Sequence, residues 1–112
     1  MIVHTYETTG GKDLILDYIM NLSKPEIIDG LTVLKNFENN DFDKLTTKRW
    51  RGKVWEVYFY KNNRIFYVAV DGTDVYIIHA CRKQKNKTEK TDSEIIIKRT
   101  KELETKLSKR IL

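Results

Sequence analysis

The fold is decided by residues 54–81, which read VWEVYFYKNNRIFYVAVDGTDVYIIHAC. Three segments of this stretch are dense in β-branched and aromatic residues: Val54–Tyr60, Arg64–Val70 and Val75–Cys81. The short segments between them, residues 61–63 and 71–74, supply the asparagine, aspartate and glycine that tolerate positive φ in tight hairpins. The pattern therefore predicts a three-stranded antiparallel meander.

The two turns also predict the pairing of the strands. Two-residue turns at Asn62-Asn63 and Gly72-Thr73 give these pairs: Phe59 with Phe66, Val57 with Val68, Trp55 with Val70, Val68 with Ile77, and Arg64 with Cys81. One face would then pack against the helices: Trp55, Val57, Phe59, Phe66, Val68, Val70, Val75 and Ile77. The opposite, half-exposed face would carry Glu56, Tyr58, Tyr60, Tyr67, Tyr76 and Arg82.

Strand and helix patterns flank the meander. Ile2–Thr8 alternates like a strand, and Lys12–Asn21 carries apolar residues at helical spacing. Ser23–Glu26 has the form of a capping box with proline in the first turn, and a second helix follows it. Residues 91–94 repeat the capping-box pattern before a long third helix. The order β-α-α-β-β-β-α predicts an α+β fold in which helices pack on a small, mostly antiparallel sheet.

Length and composition predict one domain over residues 1–112. Charge is divided unevenly: residues 1–47 hold four Lys against eight acidic residues, whereas residues 48–112 hold seventeen Lys or Arg against eight. The basic half favours a polyanion or an acidic protein as partner, although a solvated lysine-rich surface explains the charge equally well. A single cysteine, Cys81, and the lack of a signal peptide or long apolar run predict a cytoplasmic protein with no membrane segment.

Cations border the predicted sheet and are the candidate RNA-binding residues: Lys48, Arg49, Arg51, Lys53, Arg82, Lys85 and Lys87. The sequence shows neither a metal-ligand set nor a glycine-rich phosphate loop, so no metal and no cofactor are expected. What remains is the handling of phosphate by cations alone. RNA can be cleaved in this way by its own 2′-hydroxyl, provided that the protein aligns the reacting atoms and neutralises the charge that develops on phosphorus.

Three segments carry a resemblance to a known family: Lys53–Tyr58 (KVWEVY), Asn63–Tyr67 (NRIFY) and Ile77–Thr88 (IIHACRKQKNKT). Together they resemble RelE-superfamily toxins, most closely the HigB-like, phage-associated branch, over residues 45–105. The resemblance implies a RelE-like fold and an mRNA endonuclease that usually acts on the ribosome. It also implies silencing by a cognate antitoxin, either a helix-turn-helix protein or an acidic one.

The resemblance also implies roles for individual residues. Arg64 matches the arginine that contacts the scissile phosphate, and Glu56 matches a glutamate of the first meander strand. Lys83, Lys87 and Thr88 match the basic segment that follows the third. Tyr58 stands where the branch has an arginine, and it joins the catalytic candidates because a tyrosine can move a proton.

Two other functions remain open from the sequence. The first is a non-catalytic RNA- or ribosome-binding protein of the same fold. The second is a small basic domain that binds an acidic protein. Net charge does not separate these alternatives from an endoribonuclease, because all three require exposed cations.

Overall fold

The computed structural model describes residues 1–83 and 88–112. Its elements, in chain order, are β1 (Ile2–Thr5), α1 (Leu14–Met20), α2 (Lys24–Glu38), β2 (Thr46–Arg51), β3 (Val54–Phe59), β4 (Asn63–Val70), β5 (Asp74–Arg82) and α3 (Lys90–Leu107). A short 3-10 turn, Phe42–Lys44, precedes β2. The predicted α+β class is confirmed. Among the described helices, none combines the length and apolar character needed to cross a bilayer.

The sheet has five strands in the order β1-β5-β4-β3-β2. β1 runs parallel to β5, and the other neighbours are antiparallel. β2, which reads TTKRWR, is largely exposed at the edge of the sheet and was not predicted. This strand has no alternation of apolar and polar residues, so its hydrophobic pattern gave no signal. Lys48, Arg49 and Arg51 therefore lie on a strand themselves.

Helices cover both faces of the sheet, which gives three layers. α1 and α2 pack on one face around Ile15, Ile19, Val33, Phe37, Val57, Phe59, Ile65, Tyr67, Val75 and Ile77. α3 packs on the other face around Ile96 and Leu103, against Val54, Phe66, Val68, Ile78 and Cys81. The predicted half-exposed face was therefore wrong: Glu56 and Tyr67, both assigned to it, are each 3% exposed.

The pairing of β3 with β4 differs from the prediction by three positions. Phe59 lies opposite Asn63 and Tyr58 opposite Arg64, so the connection is a three-residue turn, Tyr60-Lys61-Asn62. Tyr60 and Lys61 adopt positive φ in this turn. The predicted turn at residues 62–63 was wrong, and with it the pairs that depended on that turn.

Asn63 explains the misassigned turn. It is the first residue of β4 and fully buried, although asparagine next to asparagine is typical of a hairpin turn. Its amide donates to Glu26 Oε2 at 2.7 Å, and its carbonyl accepts from the Tyr18 hydroxyl at 2.6 Å. These long-range hydrogen bonds satisfy a buried polar side chain and fix the register, and local turn preference does not reveal them.

The pairing of β4 with β5 was predicted in part. Arg64 lies opposite Cys81, as expected. Nearer the turn, Val68 lies opposite Tyr76 and Val70 lies opposite Asp74, so the connection is a three-residue turn, 71–73, and the predicted two-residue turn at Gly72-Thr73 was wrong. Between Phe66 and Tyr67 a β-bulge inserts one extra residue into β5 and restores the predicted register, a compensation that has no clear sequence signal.

The two predicted capping boxes had different outcomes. At α2 the box forms: the hydroxyl of Ser23 lies 2.7 Å from Glu26 Oε1. At α3 the box predicted at residues 91–94 is wrong, because the helix begins one residue before that segment and has no side-chain cap. Asp92, in the first turn of α3, hydrogen-bonds the His79 ring at 2.8 Å and so ties the start of this helix to the sheet.

Gly52, in the turn between β2 and β3, permits a stability prediction. It has a φ of 56°, and a Cβ there would lie 2.4 Å from the Ile111 carbonyl oxygen and 2.8 Å from Leu112 Cα. Gly52→Ala should therefore combine a left-handed backbone penalty of about 1–2 kcal/mol with an overpacking cost of about 1–3 kcal/mol. Gly72→Ala is the matched control, because Gly72 has a φ of 69° and open space around it. Chemical denaturation should show the larger loss for Gly52→Ala, and equal losses would contradict the close approach of the C-terminal segment.

Candidate active site

The observed register places three of the four catalytic candidates on one face. The observed pairing of β3 with β4 differs from the predicted pairing by three positions. Because this difference is an odd number, Arg64 lies on the α3 face together with Glu56 and Tyr58. Tyr58 lies directly opposite Arg64. The fourth candidate, Lys83, follows the last residue of β5, and its backbone N–H donates to the Asn62 carbonyl, which ties it to the β3–β4 turn.

Their side chains form one connected group, here called the Arg64 cluster: Glu56, Tyr58, Arg64 and Lys83. The Tyr58 hydroxyl donates to Glu56 Oε1, and Arg64 Nη2 lies 3.9 Å from the same oxygen. Arg64 Cζ is 5.7 Å from the centroid of the Tyr58 ring, and Lys83 Nζ is 5.0 Å from it. One phenol ring therefore lies between a carboxylate and two cations, a mixture that suits proton transfer and phosphate binding.

Arg64 is covered in this structure. Its side chain is 4% exposed, and Nη1 donates to Thr88 Oγ1 at 3.2 Å. The Trp50 indole N–H donates to the same hydroxyl at 3.1 Å. Within the described residues, Arg64 Nε is buried without a hydrogen-bond partner, so its N–H donor is unused. Trp50 was not a sequence candidate, and only the fold shows that it and Thr88 meet over Arg64.

Electrostatics keep Tyr58 protonated. Its partial burial raises the pKa of the phenol, and the hydrogen bond to Glu56 and the charge of that carboxylate raise it further, against an opposing effect of Arg64. Tyr58 is therefore a neutral donor at physiological pH. Glu56 is buried, whereas Tyr58 and Lys83 are partly exposed, so these two are the members that solvent or a ligand meets first.

The RNA-binding candidates lie in different places. Lys48 lies opposite Glu56 on the edge strand β2, next to the Arg64 cluster, and is exposed. Arg49 lies on the opposite face, with Nε donating to the Gly52 carbonyl at 2.9 Å. Arg51 Cζ lies 4.7 Å from the Trp50 ring centroid. Exposed Lys53 is in the following turn, whereas Lys85 and Lys87 lie outside the described residues.

Arg82 is separated from the Arg64 cluster. It lies opposite Asn63, on the α1–α2 side of the sheet, and its Nη1 is 3.2 Å from Glu26 Oε2. The hydrogen bond from Asn63, followed by that from Ser23 and the charge of Arg82, lowers the pKa of Glu26 to about 2. Arg82 is thus tied to a carboxylate of α2 and is less available to RNA than Lys48.

Glu26 makes the stability of the fold depend on pH. Its pKa is lowered from an ordinary value of 4.5 to about 2, so its stabilising effect is present above pH 4.5 and is lost as pH falls towards 2. Glu26→Gln should lower the thermal midpoint at pH 7, and its difference from the wild type should shrink over that acid range. Glu38→Gln, an exposed carboxylate of the same helix, is the control. A constant difference from pH 7 to pH 2 would contradict this role.

A second titratable group lies under the start of α3. Donor atoms of His79, Cys81 and Asp92 all lie within 4.8 Å of one another, a proximity that the sequence did not indicate. Arg99 Nη1 donates to His79 Nδ1 at 3.2 Å, which leaves the ring proton on Nε2, facing Asp92 at 2.8 Å. Burial and Arg99 lower the pKa of His79, and burial raises the pKa of Cys81 to about 12. A neutral imidazole with both nitrogens bonded and a protonated thiol fit a structural role better than a metal site.

Comparison with known families supplies the identification. Residues 17–101 match the family described as Phage derived protein Gp49-like (DUF891). The chain belongs to this family. A search of curated proteins found no relative.

The Gp49-like match covers most of α1, all of α2, β2–β5 and the first two thirds of α3, and it leaves β1 outside. Every member of the Arg64 cluster falls within it, as do Trp50 and Thr88. Membership of this phage-derived family is consistent with a toxin-like role in a toxin–antitoxin system. It therefore agrees with the phage-associated, toxin-like part of the resemblance found in the sequence.

Proposed function

We propose that this Gp49-like protein is the toxin of a type II toxin–antitoxin pair and cleaves mRNA in the cytoplasm, on the ribosome and without a metal ion. The observation that carries the proposal is the convergence of Arg64, Glu56, Tyr58 and Lys83 in one cluster. The sequence singled out these residues before their positions were known. Their side chains are the types that a reaction driven by the 2′-hydroxyl of RNA requires.

Each side chain has a task that follows from its position. Tyr58 meets the RNA, accepts the proton of the 2′-hydroxyl and passes its own to Glu56 Oε1, which it already contacts. Its raised pKa favours this relay over a free phenolate. Arg64 and Lys83 neutralise the charge that develops on the phosphate oxygens, and arginine can bridge two of them. Lys83 is also placed to protonate the leaving 5′-oxygen.

The burial of Arg64 sets a condition on this mechanism. The Thr88 hydroxyl accepts from Nη1 and helps to cover the guanidinium, so RNA would displace it to bring a phosphate oxygen close to this nitrogen. The exchange substitutes a charged acceptor for a neutral one, so it is favourable once the substrate is bound. RNA would meet Tyr58 and Lys83 first, and Arg64 would engage as Thr88 withdraws.

An antitoxin is the second partner. To silence the toxin it must occupy the surface that RNA uses, which is the exposed cationic side of β2 together with Lys83. A helix-turn-helix or acidic protein would place acidic or apolar side chains there. Copurification of an adjacent-gene product with the tagged chain supports this pairing, whereas harmless high-level expression of the chain alone counts against it.

One observation favours a second function, non-catalytic binding of RNA or of the ribosome. The side chains of Arg64 and Glu56 are each only 4% exposed and lie close to each other, as in a buried structural ion pair. If Arg64 and Glu56 only stabilise the sheet, the exposed cations would bind RNA without cleaving it.

Inducible expression in growing cells, with mapping of transcript ends, separates these functions. If the protein is an mRNA-cleaving toxin, its expression should cause growth arrest together with new 5′ ends inside coding regions. A version carrying Arg64→Gln should leave both growth and transcripts unchanged. Growth arrest without new ends would favour the binding protein, and identical cleavage by both versions would overturn the site assignment.

A further inference from the structure

A polar network joins the first turn of α2 to the start of β4 and the end of β5. Its members, here called the Asn63 network, are Tyr18, Ser23, Glu26, Asn63 and Arg82. The network lies on the α1–α2 side of the sheet, whereas the side chains of the Arg64 cluster lie on the α3 side. The two groups share no side chain, and the backbone of the sheet lies between them.

The Glu26 carboxylate is the centre of the Asn63 network. Its Oε2 accepts from the Asn63 amide at 2.7 Å and lies 3.2 Å from Arg82 Nη1. Its Oε1 lies 2.7 Å from the Ser23 hydroxyl, and the Tyr18 hydroxyl donates to Asn63 Oδ1 at 2.6 Å. One carboxylate of α2 therefore holds the start of β4 and the end of β5 together.

Chain adjacency links the Asn63 network to the Arg64 cluster. Arg64 directly follows Asn63 in β4. Lys83 directly follows Arg82, the last residue of β5, and its backbone N–H donates to the Asn62 carbonyl. Successive side chains of a strand point to opposite faces, so each of these residue pairs gives one side chain to the network and one to the cluster. A restraint on the side chain of Arg82 therefore also limits the movement of the Lys83 backbone.

The proposed role of Lys83 requires such a restraint. Lysine has a long side chain with high rotamer freedom. To stabilise charge on a phosphate, Lys83 Nζ must stay near Tyr58, where it lies 5.0 Å from the ring centroid. A misplacement of about 1 Å can lower the rate by a factor of about a hundred. Holding the backbone next to Lys83 therefore contributes to the rate without any contact with RNA.

Arg82 is better placed for this task than for binding RNA. Its guanidinium lies beside Glu26 on the α1–α2 side of the sheet, away from the Arg64 cluster. Its side chain is 48% exposed, so solvent screens the ion pair, and loss of the pair should cost little stability. An effect of Arg82 on the position of Lys83 can therefore be separated from an effect on folding.

We infer that Arg82 is a positioning residue: bound to Glu26, it holds the end of β5 so that the Lys83 ammonium stays in the Arg64 cluster. The inference rests on the proposed function for its effect on a reaction rate. The tie between Arg82 and the Lys83 backbone is a property of the fold that can be measured without cleavage.

The first test is single-turnover cleavage of RNA by the full chain. Arg82→Gln should lower the rate at saturating RNA by about tenfold and leave the RNA affinity and its salt slope unchanged. In a protein that already carries Lys83→Gln, the same substitution should lower the rate by less than about twofold, because no ammonium is left to position. Arg82→Lys keeps a cation that can pair with Glu26, and it should recover most of the rate.

The second test is backbone amide hydrogen exchange at Lys83, followed by NMR, which requires no cleavage. Loss of the Arg82 tie should increase local opening of the strand end and speed the exchange of this amide several-fold. Lys35→Gln is the matched control, because it removes the cation of an exposed ion pair within α2, whose Nζ lies 3.5 Å from Glu38 Oε2. This control should change neither the exchange nor the rate.

The outcomes separate this inference from the proposed function. An unchanged rate at saturation in Arg82→Gln, with or without weaker RNA binding, would overturn the inference and leave the toxin function standing. An equal loss of rate with and without the Lys83 ammonium would mark a general effect on folding and would also overturn it. If the wild type cleaves no RNA, the proposed function fails and exchange at Lys83 decides: faster exchange in Arg82→Gln supports the tie, and unchanged exchange overturns it.

Discussion

Arg64→Gln is expected to slow RNA cleavage at saturating substrate by on the order of a hundredfold to a thousandfold, the usual cost of removing one donor that stabilises transition-state charge. The physical reason is that glutamine cannot neutralise the developing phosphorane or bridge two of its oxygens. Single-turnover rates with the purified protein measure the effect, and circular dichroism and thermal unfolding report whether the variant is folded.

Arg64→Lys and Arg110→Gln complete this experiment. Lysine keeps the charge but loses the fork of donors, so it should recover only a part of the rate. Arg110 is an exposed arginine beyond the end of α3, and its loss should leave the rate unchanged. If Arg64→Gln unfolds, or folds and cleaves at the wild-type rate, Arg64 is structural and the proposed site is wrong.

Lys83→Gln is expected to reduce the rate at saturation by on the order of a hundredfold or more, with a modest loss of RNA binding. Lys83 follows β5 directly, and its backbone is tied to the Asn62 carbonyl, so its charge is held near the cluster. Arg51→Gln should do the reverse. Arg51 is an exposed cation over Trp50, and its loss should weaken binding and lower the salt slope by roughly one unit.

Cleavage and binding measured against salt concentration decide between these two roles. A rate loss at Lys83 that persists at saturating RNA marks a group that acts in the transition state. Equal, purely binding-type losses at both positions would mean that the sheet only grips RNA, and the non-catalytic function would replace the endonuclease.

Much of the fold could be predicted because its signals are local. Val75–Cys81 is a strand by composition, and Ser23 with Glu26 marks the start of α2 within one turn of helix. These features depend on residues close in the chain, so they are visible without knowledge of the fold.

The errors arose where distant residues decide the structure. Asn63 is a strand residue because Glu26 and Tyr18 satisfy its side chain, and no local pattern contains that information. The same error hid the Arg64 cluster, since the predicted register put Arg64 and Glu56 on opposite faces. The resemblance to known toxins implied roles for these residues, but only the observed register brings them together. The cover that Thr88 forms over Arg64 is likewise a tertiary contact.

The chemistry of the cut ends tests the central claim most directly. RNA incubated with the purified protein, on ribosomes in a magnesium buffer or free in solution, should give fragments with 2′,3′-cyclic phosphate and 5′-hydroxyl ends, because the 2′-oxygen is the proposed nucleophile. A substrate with a single 2′-deoxy nucleotide on the 5′ side of the cut should resist cleavage there. Fragments with 3′-hydroxyl and 5′-phosphate ends, or no cleavage with or without ribosomes, would contradict the account.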